Sequence, residues 1–214
     1  MSKTRSLLTI CFLCSTLVAA QKIIINKASS RYRVVVDPVR CNQRSCGPIK
    51  VTLFEKGSRR AFQEITAGKV NESDLKDSIT FIDIDFDGHK DLFVFDAFTA
   101  PGGNGTQSYR IYLFSRAKHK FVFSPSLSQL SRDESFLFDK KDFRRRQFVT
   151  YARPGGGVFQ NRWYHVIAGK PKMFKEIVSD ATYRDGKWTL DTTRTLVRGK
   201  WITRRKVSKT AFNQ

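Results

Sequence analysis

The chain has 214 residues, of which 40% are apolar and 18 are Phe, so it is long enough to bury one good hydrophobic core. That apolar content excludes a chain that is disordered throughout. Its 39 Lys and Arg against 19 Asp and Glu give a formal net charge of +20, and we expect one basic globular domain.

The first twenty residues have the pattern of a secretory signal peptide. Lys3 and Arg5 precede the apolar run LLTICFLCSTLVAA, which is too short to span a bilayer and ends in small residues. Cleavage after Ala20 would divide the chain into a signal peptide, 1–20, and a single β-rich domain, 21–214, with a basic C-terminal segment. The pattern predicts a periplasmic or secreted protein without a transmembrane segment after cleavage; an uncleaved anchor or a buried N-terminal strand is the alternative.

Two cysteines remain after this cleavage, Cys41 and Cys46, in the turn-like stretch DPVRCNQRSCGP. In an oxidising compartment such a closely spaced pair predicts a disulfide that closes a short loop. A metal site with two cysteines is the alternative, but no other Cys and no nearby His would complete it.

From Arg31 onward the chain is a succession of short β-rich runs. Many alternate apolar with polar side chains, and Gly, Pro, Asn or Asp separate them. This spacing predicts an all-β fold, either an antiparallel sandwich or a strongly curved sheet. The predicted strands are YRVVVDP, IKVTLFE, SITFIDID, DLFVFDAF, YRIYLFS, KFVFSP, RQFVTYA, RWYHVIAG, KWTLDTT and WITRRKV.

Turns and helices are also indicated by short patterns. AGKPKMF, RDGKWTL and VRGKWIT each place Gly-Lys between strand-like segments, which predicts successive hairpin loops in which Gly has positive φ. Helical periodicity is scarce: PSLSQLSRDESFLF predicts one or two helical turns, and NESDLKD another.

Four carboxylates crowd into the stretch FIDIDFDGHKDLFVFDA, between two predicted strands. Counted from Asp83 they fall at positions one, three, five and nine, and a Gly at position six permits a sharp bend. Asp side chains at alternate positions of a tight loop converge on one point, where a hard divalent cation compensates their charge. This ligand order predicts a calcium loop. The predicted ligands are Asp83, Asp85, Asp87, Asp91 and the backbone carbonyl of His89.

The loop departs from the helix-loop-helix form of such sites, because Val94 replaces the bidentate Glu at position twelve and both flanks are β-like. Mg²⁺ is less suited, since it prefers fewer protein ligands and more water. An Asp-rich turn neutralised by Lys and Arg side chains is the alternative.

Four motifs, taken in order, carry a resemblance to a known family. DIDFDGHKDL, PGGNGTQSYRIYLF, KFVFSPSLSQLS and YARPGGG resemble secreted bacterial proteins typified by the calcium-binding immunity protein of a Xanthomonas type IV secretion effector. The match covers residues 79–160, and the Asp loop also resembles the cation loops of integrin-type FG-GAP repeats. The resemblance implies a periplasmic β-rich domain, similar to bacterial lysozyme inhibitors, that blocks the cleft of a peptidoglycan hydrolase.

Two Gly-rich stretches are the candidate partner-binding loops. GGNGTQSY allows close approach of its backbone and offers small polar groups where sugar hydroxyls would bind. It follows the strand that leaves the Asp loop, so we expect a bound ion to hold that strand and its loop in place. Ordinary hairpin connections are the alternative for both stretches. The candidate partner-binding residues are Asn104, Thr106, Ser108, Tyr109, Tyr151, Gly155 and Gly156.

The charge of the chain favours an acidic partner. Loss of Lys3 and Arg5 leaves a net charge of +18, and residues 184–214 hold nine Lys and Arg against two Asp. An acidic hydrolase or toxin fits this charge, as do anionic lipids of the envelope. The main prediction is a calcium-binding hydrolase inhibitor; the alternative is an envelope-surface or adhesion-type module that recognises anionic ligands through its basic face.

Catalysis and nucleic-acid binding are both disfavoured. The sequence has no G-x-S-x-G and no H-E-x-x-H, and His89, His119 and His165 are scattered. Asp133 and Glu134 are adjacent, and adjacent residues of a strand point to opposite faces, which makes a poor acid and base pair. Export and the lack of a nucleic-acid-binding signature argue against DNA or RNA as a partner.

Overall fold

The computed structural model describes residues 23–25, 31–38, 49–67, 79–99 and 106–209. Within these ranges the chain forms fourteen strands and one short helix, which confirms the predicted all-β fold. The elements are β1 (Ile23–Ile25), β2 (Tyr32–Pro38), β3 (Ile49–Glu55), β4 (Gln63–Ala67), β5 (Ile79–Ile82), β6 (Asp91–Thr99), β7 (Thr106–Ser115), β8 (Lys120–Phe123), α1 (Pro125–Asp133), β9 (Ser135–Asp142), β10 (Gln147–Gly155), β11 (Val158–Ile167), β12 (Lys170–Asp180), β13 (Trp188–Val197) and β14 (Lys200–Lys209).

Three predicted features lie outside the described residues: the signal peptide, the Cys41 and Cys46 pair, and the helical turn at NESDLKD. In the part of the chain that is described, no helix has the length and apolar character needed to cross a bilayer.

The strands form three antiparallel sheets, each a simple meander. The first sheet has the order β1-β2-β3-β4, the central sheet the order β5-β6-β7-β8, and the long sheet the order β14-β13-β12-β11-β10-β9. Within each sheet, strands that are consecutive in the chain are therefore neighbours.

The central sheet is covered on both faces. One core joins it to the first sheet, where Val34 and Leu53 pack with Leu92 and Val94 of β6. A second core joins it to the long sheet and α1, and contains Phe93 of the same strand. Alternate side chains of β6 thus enter different cores, which explains why DLFVFDAF reads as one continuous apolar run rather than as an alternating strand.

Helix α1 closes an edge of the central sheet with serine side chains. The Ser128 hydroxyl accepts the backbone N–H of Ile111 at 2.9 Å, and the Ser131 hydroxyl accepts that of Tyr109 at 2.8 Å. Both serines are fully buried. β8 pairs with β7 only from Tyr112 onward. For Tyr109 and Ile111, the serine hydroxyls therefore accept the backbone N–H groups in place of a neighbouring strand.

In the long sheet, strand β9 was not predicted from the sequence, whereas the hairpin turns with Gly at positive φ were. The stretch PSLSQLSRDESFLF, predicted to hold one or two helical turns, contains α1, which ends at Asp133. It is followed by β9, which begins at Ser135 and was not among the predicted strands. In this strand Phe136 and Phe138 lie on one face and stack on each other in the second core. The hairpin loops predicted from the three Gly-Lys pairs are present, and their glycines have φ values of +72°, +76° and +79°.

Candidate metal centre

The acidic loop connects β5 to β6, as predicted, and three of its carboxylates converge. One oxygen from each of Asp83, Asp85 and Asp91 lies within 4.8 Å of the others. Ligand oxygens on opposite sides of a bound Ca²⁺ are about 5 Å apart, because each Ca–O distance is 2.3–2.6 Å. The separation of these three oxygens therefore fits a calcium ion.

The convergence results from a tight turn that is held by the aspartates themselves. Asp83 accepts the backbone N–H of Asp87 and that of Gly88, both at 3.1 Å. Phe86 and Gly88 have positive φ values of 59° and 89°, so the chain folds back within a few residues. Only a residue without Cβ adopts the second of these values readily, which explains Gly at this position.

Asp91 ties the loop to the central sheet. Its side chain is fully buried, and its two oxygens accept the backbone N–H groups of Ile84 and Phe114, each at 2.9 Å. Ile84 lies in the loop and Phe114 in β7, so this carboxylate joins both sides of the site.

The side chains of Asp87 and His89, also predicted as ligands, contact groups outside the cluster of three carboxylates. Asp87 accepts the His89 N–H at 2.7 Å, and its other oxygen lies 3.9 Å from Nε of Arg116. The His89 ring packs on Phe114, with 5.1 Å between the ring centroids. The Asp87 carboxylate is thus directed towards Arg116, and a ligand role for the His89 carbonyl remains a prediction.

The electrostatics of the loop favour a positive charge at its centre. Burial, with the nearby Asp87 charge, raises the pKa of Asp85 to about 6. Burial, followed by repulsion from Asp85, raises the pKa of Asp91 to about 8. Two of the three converging carboxylates therefore hold protons more tightly than usual, as expected when the nearby cations do not fully balance their charge.

The basic side chains around the loop do not supply that balance. Arg116 donates to the backbone carbonyl of Asp87 at 2.7 Å, and Arg146 to that of Asp85 at 3.5 Å. Within the described residues, no Lys or Arg forms an ion pair with Asp83, Asp85 or Asp91. This arrangement argues against the alternative in which basic side chains neutralise the turn.

The predicted partner-binding residues differ in how far their side chains are exposed. Ser108 is fully buried, so its side chain cannot contact a partner at the surface. The ring of Tyr109 packs between Phe95 and Phe138, and its hydroxyl donates to Gln107 at 2.6 Å. The burial of Ser108 therefore contradicts its predicted role, whereas Tyr109 is only partly buried and its contact with a partner stays a prediction.

The remaining candidates belong to two strand ends. Thr106 begins β7, and Asn104 lies outside the described residues. Tyr151 is half-buried on β10 and stacks on Phe159. Gly155 and Gly156 form the turn into β11 with positive φ values of 125° and 53°, which explains their residue type.

The Asp loop and the candidate partner-binding turns lie at opposite ends of the strands between them. β6 ends at Thr99 and β7 begins at Thr106, and these strand ends are farthest from the Asp loop, a strand length of roughly 25 Å away. The Gly155 turn is likewise at the far end of β10, because the opposite end of β10 contacts the loop through Arg146. The expectation that a bound ion holds β6 and the following loop in place stays a prediction, and it requires the effect to be carried along the whole of β6.

The structure also contains a polar cluster that the sequence did not reveal. Arg162 forms ion pairs with both Glu134 and Glu176, and each of these glutamates is only 4% exposed. Thr150 and Tyr164 donate to Glu134 as well. Each residue alone has the pattern of an ordinary strand or loop position. The register of β10, β11 and β12, with Glu134 between α1 and β9, brings them together.

Comparison with known proteins identifies a shared fold. No protein-family model matches the chain, and no curated protein matches it. Among solved structures, a Xanthomonas type IV secretion system related protein is similar, with a TM-score of 0.67 and 18% sequence identity over 89% of this chain and 96% of that chain. At this level of identity the similarity shows that the two proteins have the same fold.

Proposed function

We propose that this protein binds Ca²⁺ in the loop between β5 and β6, and that the ion has a structural role. The observation that carries the proposal is the convergence of Asp83, Asp85 and Asp91 without a cationic side chain paired to any of them. Three carboxylates together with backbone carbonyl and water oxygens make the oxygen-rich ligand set that Ca²⁺ prefers. A structural role is proposed because one of these ligands, Asp91, is buried and ties the loop to β7.

Calcium titration of the purified protein tests this proposal. We expect saturable heat of binding and a rise in Tm with Ca²⁺, since a ligand that binds only the folded state stabilises it. Asp85→Asn should abolish both effects. The control is Asp96→Asn, because Asp96 lies outside the loop and pairs with Arg110 at 2.9 Å. Absence of binding heat, with a Tm indifferent to Ca²⁺ and chelator, would refute the calcium site.

We further propose that the protein is an exported inhibitor of a peptidoglycan hydrolase. Three things support this: the signal-peptide pattern, the resemblance of its ordered motifs to secreted immunity proteins, and a fold like that of a type IV secretion system related protein. The contact surface would lie at the strand ends that carry Asn104, Thr106 and the turn at Gly155 and Gly156. An insertion loop there would offer backbone groups to a polysaccharide-binding cleft.

The inhibition proposal has a separate test. Purified mature protein is mixed with a panel of muramidases, with acidic enzymes included, and hydrolysis of peptidoglycan is measured. We expect at least one enzyme to be inhibited, and Asn104→Ala or Tyr151→Ala to weaken inhibition about tenfold without changing Tm. His165→Ala serves as the control, because His165 lies near the opposite end of β11 from the Gly155 turn. If no enzyme in the panel is inhibited, the inhibition proposal is refuted, and the calcium proposal is unaffected.

A further inference from the structure

Three hairpin turns of the long sheet lie at one end of the molecule. The sheet is a meander in which β9 to β14 follow one another in order, so alternate turns fall on the same side. The turns at 143–146, 168–169 and 198–199 therefore share one end, and we call them the basic tips. The turns at 156–157 and 181–187 lie at the other end.

Each of the basic tips exposes a large apolar side chain. Phe143 is 59% exposed, Ile167 57%, Val197 43% and Trp201 38%. Isolated exposed apolar residues are common on soluble domains. These side chains recur at three turns on the same end and belong to neither core in the described residues, although Phe143 contacts Phe86 and the Trp201 ring lies against Arg194.

Cationic side chains accompany the apolar ones at every tip. The first tip carries Arg144, the second is followed by Lys170, and the third carries Arg198 and Lys200. In the described part of the chain, no carboxylate lies within ion-pair distance of these four residues. All four side chains are exposed, so their charges are accessible to an external ligand.

The first two tips are held in position by contacts with other parts of the chain. The hydroxyl of Ser124 donates to the Gly169 carbonyl at 3.2 Å. Nδ1 of His165 lies 2.9 Å from the backbone carbonyl oxygen of Arg146, within hydrogen-bond distance. Phe143 packs edge-on against Phe86 of the Asp loop. A surface that is already ordered loses less conformational entropy when it binds.

We propose that the basic tips dock the protein onto the anionic headgroup surface of a lipid bilayer. Cations attract the headgroups, and Trp and other large apolar side chains enter the interfacial layer just beneath them. The third tip is apolar on both faces of its hairpin, since Trp201 pairs with Leu196 on one face and Ile202, 45% exposed, lies on the other. A bilayer surrounds such a tip, whereas a protein partner would cover one face only.

A second copy of the chain does not fit this surface. Two sets of basic tips facing each other would repel, because like charges in close contact are unfavourable. The composition of the tips instead complements a surface that is both negative and able to accept apolar groups.

Vesicle binding tests the proposal. The full mature chain is sedimented with vesicles of phosphatidylcholine and phosphatidylglycerol at a ratio of 3:1, and with pure phosphatidylcholine vesicles, in about 0.15 M salt. Each mixture is run with and without EDTA, so that bridging of the protein to the lipid by Ca²⁺ is distinguished from loss of the ion proposed for the Asp loop, against which Phe143 packs. We expect partitioning onto the anionic vesicles only, lowered about tenfold by Lys200→Glu or Arg144→Glu. Trp201→Ser should lower it about fivefold.

Two variants at the other end of the sheet are matched controls. Lys187→Glu reverses an exposed charge in the turn between β12 and β13, and Val207→Ser removes an apolar side chain that is 43% exposed on β14. Both should leave partitioning within twofold of the unaltered protein. Brominated lipid should quench Trp emission, and the quenching should vanish in Trp201→Phe but persist in Trp188→Phe.

Several results would overturn the proposal. These are absence of binding to anionic vesicles, equal losses in tip and control variants, or quenching that survives Trp201→Phe. Tip-dependent binding to an immobilised acidic protein, without binding to vesicles, would also overturn it and would assign the surface to a protein partner.

Discussion

The carboxylate of Asp91 accepts the backbone N–H of Phe114 at 2.9 Å, which connects the start of β6 to the adjacent strand β7. The other oxygen of the same carboxylate accepts the N–H of Ile84 in the Asp loop. Asp91 is therefore a structural anchor as well as a candidate metal ligand, and the two roles can be separated by working without the ion.

We predict that Asp91→Ala destabilises the metal-free protein by about 2–4 kcal/mol, because two buried N–H groups lose their acceptor. Asp91→Asn keeps one acceptor and should cost about 1–3 kcal/mol. The measurement is urea unfolding in EDTA at pH 6. Asp96→Asn on the same strand breaks only a partly exposed ion pair and should cost less than about 1 kcal/mol. Equal effects at Asp91 and Asp96 would contradict the anchoring role.

The raised pKa values of Asp85 and Asp91 predict how stability changes with pH. In the unfolded chain both carboxyls titrate near pH 4, whereas in the fold their pKa values are about 6 and about 8. The folded state therefore binds these protons more tightly, and this contribution is fully present below pH 4 and lost as the pH rises through 6 and 8.

Metal-free protein should accordingly lose at least about 1 kcal/mol of unfolding free energy between pH 5 and pH 9. Urea unfolding in EDTA across this range gives the slope, and Asp85→Asn should flatten it because one titrating group and its repulsion on Asp91 are removed. If Ca²⁺ binds as proposed, its addition at pH 8 should restore the lost stability. A free energy that stays constant or rises over this window would count against the charge arrangement described.

Local patterns were sufficient for much of the fold. The runs YRVVVDP and IKVTLFE coincide with Tyr32–Pro38 and Ile49–Glu55, because alternation and flanking turn residues define a strand without reference to distant parts of the chain. The convergence of Asp83 and Asp85 also follows from their alternate spacing in a tight loop.

Features that depend on distant contacts could not be predicted in this way. The orientation of Asp87 is set by Arg116, which lies 29 residues farther along the chain. The burial of Ser108 and Tyr109 depends on α1 and β9 packing over β7. Similarly, the distance of Thr99 from the Asp loop follows from the direction of β6, and the grouping of the basic tips from the strand order of the long sheet.

The serines of α1 lead to a further prediction. Ser128→Ala and Ser131→Ala each leave one buried backbone N–H of β7 without an acceptor, and each should destabilise the protein by about 1–2 kcal/mol. Ser126→Ala, in the first turn of the same helix, is the control. Ala is the better helix former, so this change should be neutral or slightly stabilising. Thermal or urea unfolding compares the three, and a stabilising effect of Ser128→Ala would mean that the hydroxyl is dispensable.

The buried glutamates predict unequal consequences for two arginines in the same row of the long sheet. Arg162 and Arg194 both bond to Glu176, at 2.8 Å and 3.2 Å. Only Arg162 also pairs with Glu134, and its side chain is the more buried of the two arginines. Arg162→Met should destabilise the protein by about 3–5 kcal/mol, because it leaves two buried carboxylates without their shared cation.

Arg194→Met should cost about 1 kcal/mol or less, since 43% of that side chain is exposed and Arg162 still serves Glu176. Urea unfolding at pH 7 measures the difference. Equal destabilisation by the two substitutions would show that packing of the arginine stem, and not charge, stabilises this row.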